Sequence, residues 1–200
     1  MARTFSINWD YRCPFARNAH EHVLAGLLAG ADWDVDFVPY SLSQGHREEG
    51  EPPVWEDPAK ASDLLAMLAS LAVRGKQPDR FLDVHAALFR ARHDQGRDLR
   101  REEVVCDILG EAGADVGAAL AEVASGWPLD AFRKAHEASE VDYDVWGVPT
   151  FVVADRAAFV RLMTRPAGDA SVSIDLIERV VGAVAGWPEV NELKHTTLEH

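Results

Sequence analysis

The sequence predicts an α/β fold in which a large helical subdomain is inserted into a small mixed domain. Alternating apolar residues occur near both ends of the chain and indicate strands, whereas the central stretch 59–143 shows only helical periodicity. The resulting order of elements is βαβ, then helices, then ββα, which is typical of an α/β domain with an insertion. We therefore divide the chain into an N-terminal half (1–58), the insertion, a C-terminal half (144–186) and a tail (187–200).

The N-terminal half begins with a strand–helix–strand unit. Apolar and polar residues alternate over 5–9, which predicts a strand with one buried face. A helical pattern follows from Pro14 to about Gly30, and proline suits the first turn because its missing N–H would have no helical partner. Alternation over 33–40 predicts a second strand, parallel to the first, and 41–58 predicts a polar loop.

The insertion and the C-terminal half supply the remaining elements. Glycine and proline interrupt the stretch 59–143 at several points, so we expect several helices there. Apolar runs over 151–153 and 158–163 predict two strands joined by a turn at 155–156. A last amphipathic helix is expected over about 174–184.

Composition and charge narrow the function classes. The formal net charge of −13 argues against nucleic acid or an anionic membrane surface as a partner. Neither a secretory signal nor a membrane span is visible, so we expect a cytoplasmic protein. The two cysteines then form no structural disulfide framework. Leu198–His200 resembles the start of a vector-encoded tag and is left out of the functional interpretation.

Cys13 is the strongest candidate for chemistry. It lies where the first predicted strand ends and the first predicted helix begins, so its thiol faces the free N–H groups of the first turn. Arg12 and Arg17 add positive charge nearby. Both effects favour the thiolate, and we expect a lowered pKa for Cys13. Ala16 occupies the position, three residues on, where a redox pair would have its second cysteine.

Two motifs together resemble the DsbA-like branch of the thioredoxin superfamily. They are Asp-Tyr-Arg-Cys-Pro-Phe-Ala-Arg at 10–17 and Gly-Val-Pro-Thr-Phe at 147–151, in that order. That branch carries a helical insertion of this size between its two halves, so the resemblance covers almost the whole chain and implies a thioredoxin-like fold. The tail residues 192–196, after Pro188, are similar to the actinobacterial, mycothiol-linked members of the branch.

The resemblance implies the roles of individual residues. Cys13 matches the nucleophilic cysteine, and Pro149 matches the cis-proline that faces it. A cis bond there would expose the N–H and C=O of Val148 to a substrate peptide or thiol. The residues expected to bind the substrate or thiol flank these positions in sequence and are Tyr11, Arg12, Pro14, Phe15, Ala16, Arg17, Trp146, Val148 and Thr150.

Ala16 is where the chain departs from the family pattern. A dithiol oxidase forms a disulfide within the motif, which an alanine prevents. A single thiol can still form a mixed disulfide that an external thiol resolves. We therefore expect an enzyme, a monothiol oxidoreductase, that uses glutathione or mycothiol as co-substrate on a small-molecule or protein disulfide. No tightly bound cofactor is expected, and the sequence leaves open whether the protein forms a homodimer.

Two alternatives remain at the level of sequence. One is a thiol-dependent isomerase or transferase resembling the hydroxychromene-carboxylate isomerases and kappa-class transferases, which bind glutathione beside the same helix start. The other is a non-catalytic module that binds a peptide or a thiol.

The remaining cysteine and the histidines are not expected to belong to the site. Cys106 is interpreted as a core residue in a helix of the insertion, and His20 is too far along its helix to contact the thiol of Cys13. The histidines form no recognisable set of metal ligands, so no metal site is expected.

Overall fold

A central sheet organises the structure, a computed structural model in which residues 2–197 are described. Within those residues the sheet has four strands, which are β1 (Arg3–Trp9), β2 (Trp33–Pro39), β3 (Thr150–Val153) and β4 (Arg156–Phe159). The strand order is β2-β1-β3-β4; β1 pairs in parallel with β2, and β3 pairs antiparallel with both β1 and β4. Helix α1 (Pro14–Leu28) is the crossover between the two parallel strands.

The remaining helices belong mostly to the insertion. In chain order they are α2 (Leu42–Gly45), a single 3₁₀ turn (Pro58–Lys60), α3 (Ala61–Lys76), α4 (Pro78–His93), α5 (Glu102–Glu111), α6 (Val116–Ala124), α7 (Trp127–Tyr143) and α8 (Ala170–Gly186). Helices α3 and α4 pack side by side, and α4 also contacts α1. Helix α8 packs on α1 and β3, so it closes the C-terminal half onto the N-terminal half. The predicted tag residues, 198–200, lie outside the described part of the chain.

Strand β4 does not run where the sequence pattern placed it. It spans Arg156–Phe159 rather than 158–163, because Val153 pairs with Arg156 across a two-residue hairpin turn. Ala154, in that turn, has a φ of 56°, the left-handed conformation that tight hairpins require. The regular ladder ends where β3 begins, opposite Phe159. One further backbone hydrogen bond joins the N–H of Val160 to the carbonyl of Pro149, and the apolar residues after Val160 lie outside the strand.

The segment 41–58 is also more ordered than a plain polar loop. Ser41 accepts a hydrogen bond from the N–H of Gln44 through its side chain, which is the usual cap of a helix start. The short helix α2 follows and lies next to the carboxyl end of β2. None of the helices in residues 2–197 is both long enough and apolar enough to cross a bilayer.

Candidate active site

Cys13 caps the N-terminus of α1. Its backbone is extended, and its Sγ accepts a hydrogen bond from the N–H of Ala16 at 3.4 Å. The thiol donates in turn to the carbonyl oxygen of Val148 at 3.2 Å. Since the side chain is almost fully buried, with 7% of its surface exposed, these two backbone groups are its main polar surroundings.

The loop before β3 faces the cysteine. The Val148–Pro149 peptide bond is cis, and both residues are buried. Thr150 donates a hydrogen bond from its hydroxyl to the carbonyl oxygen of Gly147 at 2.8 Å, which closes the loop on itself. The two motifs are therefore adjacent, with the Val148 carbonyl directed at the sulfur.

Apolar side chains surround the two motifs at the surface. Trp146 is 63% exposed, and its ring centroid lies 4.6 Å from that of Phe159. Phe15, half-buried in the first turn of α1, lies beneath the guanidinium of Arg161, which is 5.1 Å from the ring centroid. Pro14 is exposed beside it. These rings and the cation give a bound molecule flat surfaces to pack against.

The expectation of a lowered pKa for Cys13 is wrong. Burial is the largest influence and raises the pKa of the thiol, because a thiolate loses its hydration there. The backbone N–H groups of Ala16 and Phe15 oppose this increase, as the helix start predicts, but the nearby carboxylate of Asp10 adds to it. The S–H···O bond to Val148 also favours the protonated form.

The two arginines do not compensate for this burial, because each is paired with a carboxylate. The guanidinium of Arg12 lies 2.7 Å from Asp10 and also donates to Ser43. Arg17 lies 2.9 Å from Asp94, which follows the end of α4. The positive charge that the sequence placed beside the thiol is therefore largely neutralised by these partners.

Tyr11 was expected to contact the substrate or thiol, and that expectation is also wrong. The side chain is 2% exposed, and its hydroxyl lies 2.8 Å from Nδ1 of His85 in the protein interior. Ala16 is fully buried too, so it offers its N–H to the sulfur but no surface to a ligand.

His20 makes its contacts away from Cys13, as expected, whereas Cys106 differs from its expected position. His20 is fully buried, with its Nδ1 2.9 Å from Nε2 of His85. Cys106 is half-exposed on α5 and is not a core residue, since the buried face of that helix belongs to other side chains. Within residues 2–197 no group of His, Cys, Asp and Glu could hold a metal ion.

Sequence reasoning gave no role to two of the three residues that shape this region; for the third, Asp10, it favoured the strand-end or turn role seen here. His85 and His93 lie on α4 and both contact Tyr11, while Asp10 accepts hydrogen bonds from the backbone N–H groups of Arg12 and Leu42. The only signal for the histidines was their spacing of eight residues, which places them on one face of a helix. Nothing in the sequence indicated that this face meets the cysteine motif.

The sheet topology and the helical insertion define a thioredoxin-like fold of the DsbA type. A model of the DSBA-like thioredoxin domain family matches residues 6–166, and the chain belongs to this family of thiol–disulfide oxidoreductases. No curated protein sequence matches the chain significantly.

Solved structures show the same fold at low sequence identity. Reduced DsbA1 from Neisseria meningitidis has a TM-score of 0.60 and 17% identity over 90% of this chain and 83% of its own. A probable DsbA oxidoreductase from Streptomyces coelicolor has a TM-score of 0.55 and 17% identity over 96% of this chain and 93% of its own. A thioredoxin-like oxidoreductase from Silicibacter pomeroyi has a TM-score of 0.54 and 23% identity over 88% and 85%. The resemblance of the tail to mycothiol-linked proteins stays a prediction.

Proposed function

We propose that this protein exchanges disulfides through Cys13 alone and relies on glutathione or mycothiol to complete the reaction. The observation that carries the proposal is the placement of one sulfur between the N–H of Ala16 and the carbonyl of Val148, with no second sulfur in the motif. The chain's other cysteine, Cys106, is on α5 of the insertion.

The exchange at Cys13 needs two attacks. The thiolate of Cys13 attacks one sulfur of a disulfide, a new S–S bond forms, and the other sulfur leaves as a thiolate that takes up a proton. A free low-molecular-weight thiol then loses its proton and attacks the partner sulfur of the mixed disulfide, which releases Cys13. One half of the substrate leaves as a thiol, and the other half leaves in a mixed disulfide with the low-molecular-weight thiol. A second molecule of that thiol, which is the reductant, attacks this mixed disulfide, releases the second substrate thiol and ends as the oxidised low-molecular-weight disulfide.

Backbone groups supply the polar contacts for these steps. The N–H groups of Ala16 and Phe15 stabilise negative charge on the sulfur of Cys13 when it attacks and again when it leaves. Because burial raises the pKa of the thiol, the fraction of thiolate, and with it the rate, increases with pH through the neutral range. The exposed ring of Trp146 offers packing surface for a small-molecule or protein disulfide.

Intact-mass measurement after incubation with oxidised glutathione, and separately with oxidised mycothiol, tests the proposal. We expect one adduct per chain, absent from Cys13→Ser, retained in Cys106→Ser, and removed by the corresponding free thiol. The partner that forms the adduct faster is the preferred co-substrate. Labelling that persists in Cys13→Ser, or no adduct with either disulfide, would contradict a monothiol exchange at Cys13.

A second candidate is supported by the hydrogen bond from the thiol of Cys13 to Val148. A site that keeps its sulfur protonated also suits a thiol-dependent isomerase or transferase, in which the bound co-substrate thiol attacks an electrophile. In that case glutathione or mycothiol would be conjugated, or regenerated, with no change in the oxidation state of any thiol. Turnover of an electrophile by Cys13→Ser at the wild-type rate would favour this candidate.

A further inference from the structure

Helix α4, in the insertion, contacts one residue of the cysteine motif, Tyr11, over the part from its middle to its C-terminal end. His85, Phe89 and His93 are spaced four residues apart and form one stripe of the helix. All three contact Tyr11, which lies two residues before Cys13.

Each member of the stripe contacts a different part of Tyr11. His93 donates from Nε2 to the backbone carbonyl of Tyr11 at 2.8 Å, and a carbonyl acceptor requires the proton on that nitrogen. The ring of Phe89 meets the tyrosine ring edge to face, with centroids 4.8 Å apart. The tyrosine hydroxyl lies 2.8 Å from Nδ1 of His85.

The hydroxyl of Tyr11 belongs to a buried chain of hydrogen bonds in which every donor and acceptor can be assigned. Nε2 of His20 faces the carbonyl oxygen of Asn8 at 3.3 Å, so that nitrogen carries the proton and Nδ1 is an acceptor. His85 must then donate from Nε2 to His20, which leaves its Nδ1 to accept from the hydroxyl of Tyr11. Every donor in this buried chain has an acceptor while both imidazoles are neutral.

A short backbone turn connects Tyr11 to Cys13, which carries the sulfur. The N–H of Cys13 donates to the carbonyl oxygen of Asp10 at 3.0 Å, so residues 10–13 form one closed turn. The Asp10 carboxylate holds the N–H of Arg12 at 2.9 Å within the same turn. Because Tyr11 is inside this turn, fixing its carbonyl and its hydroxyl also fixes the start of α1 and the position of Cys13.

We propose that His93 and His85 are positioning residues that hold the sulfur of Cys13 against the carbonyl of Val148 by fixing Tyr11 at its two ends. The proposal rests on the proposed role of Cys13 as the nucleophile. It gives the helical insertion a part in the chemistry, because α4 sets how deeply the thiol is buried and which backbone groups it meets.

Alkylation of Cys13 by iodoacetamide tests this inference without any disulfide. The rate is measured against pH by intact mass in a Cys106→Ser background, so that only one thiol reacts. His93→Leu removes the donor to Tyr11, whereas His93→Gln keeps an N–H donor. His22→Leu is the matched control: His22 also faces a backbone carbonyl, that of Thr164 at 3.2 Å, and it is more deeply buried than the half-buried His93, but it is on the part of α1 remote from Cys13.

Loosening the turn should let water reach the sulfur. We expect the alkylation midpoint of His93→Leu to fall by about half a pH unit towards that of a free thiol, which corresponds to about threefold more thiolate near neutral pH. His93→Gln and His22→Leu should keep the wild-type midpoint. The charged groups that face His93 are Arg17, Arg92 and Asp94, and they are unchanged in every variant.

Several results would overturn the inference. A wild-type midpoint in His93→Leu, or an equal shift in His22→Leu, would show that the histidine only contributes to packing. If His93→Leu fails to fold, Tyr11→Phe removes the hydroxyl link alone; a downward shift of its midpoint would support the inference, and an unchanged midpoint would refute it. A shift in these variants together with the absence of any mixed disulfide would leave the positioning role intact and refute only the proposed exchange reaction.

Discussion

Acidification should destabilise this fold through its buried histidine pair. Burial lowers the pKa of His20 from 6.5 to about 3, because the side chain is fully enclosed by protein. The pKa of His85 is lowered by burial and by the neighbouring imidazole of His20. Both rings stay neutral in the folded protein at pH values where they are charged in the unfolded chain.

The sign and the size of the effect follow from linkage. A histidine whose pKa is lower in the folded state contributes its full stability above the unfolded pKa of 6.5 and loses it as the pH falls towards about 3. Between pH 6.5 and about pH 5, a loss of about 1.4 kcal/mol per pH unit removes about 2 kcal/mol for His20. His85 changes the free energy of unfolding in the same direction.

Urea unfolding at a series of pH values measures this loss. In His20→Gln the side chain is neutral at every pH and can still donate and accept, so its free energy of unfolding should fall by about 2 kcal/mol less than that of the wild type between about pH 7 and about pH 5. His46→Gln, at an exposed position, should follow the wild type. Equal losses in the wild type and His20→Gln would refute the idea that a buried neutral imidazole is protonated only on unfolding.

Two further predictions concern single side chains. Asp10→Asn removes a negative charge that raises the pKa of the active-site thiol, so the midpoint of its alkylation should move to lower pH; the same exchange at Asp34, which is exposed on β2, should leave it unchanged. Gly26→Ala should destabilise the fold by about 1–3 kcal/mol in urea unfolding, because an added Cβ would lie 2.2 Å from the ring of Trp33. Gly182→Ala meets nothing within 4 Å in α8 and should stabilise by about 1 kcal/mol; if both alanines were stabilising, the tight packing at Gly26 would be refuted.

Periodicity in the sequence was sufficient to predict those elements whose pattern depends on local geometry. Alternation over β1 and β2 and the proline at the start of α1 each reflect constraints within a few residues. The end of β4 was misplaced because it depends on where a partner strand stops, and the residues beyond Phe159 have the same apolar character as those within the strand.

The direction of the pKa shift of Cys13 could not be predicted from the sequence, because it too depends on residues that are distant in the chain. A cysteine at a helix start next to arginines indicates a lowered pKa, and the N–H groups of that helix do act in this direction. The guanidiniums, however, pair with Asp10 and with Asp94, and the second of these carboxylates is more than seventy residues away in the chain. Burial by the facing loop then outweighs the helix start, which no local pattern records.

Because Ala16 replaces a second cysteine, the proposed exchange has to select its resolving thiol by other features of the site. Ala16 is fully buried with its N–H on the sulfur of Cys13, and it brings no second thiol to the motif. In the monothiol exchange proposed above, the lifetime of the mixed disulfide would depend on how readily an external thiol reaches the partner sulfur. The carbonyl of Val148 contacts the sulfur from the facing loop, and the turn that contains Tyr11 fixes the backbone of Cys13. If the proposed monothiol exchange operates, its selectivity would arise from the rigidity of this backbone, and changes on α4 should affect the rate of resolution more than changes in the exposed rings.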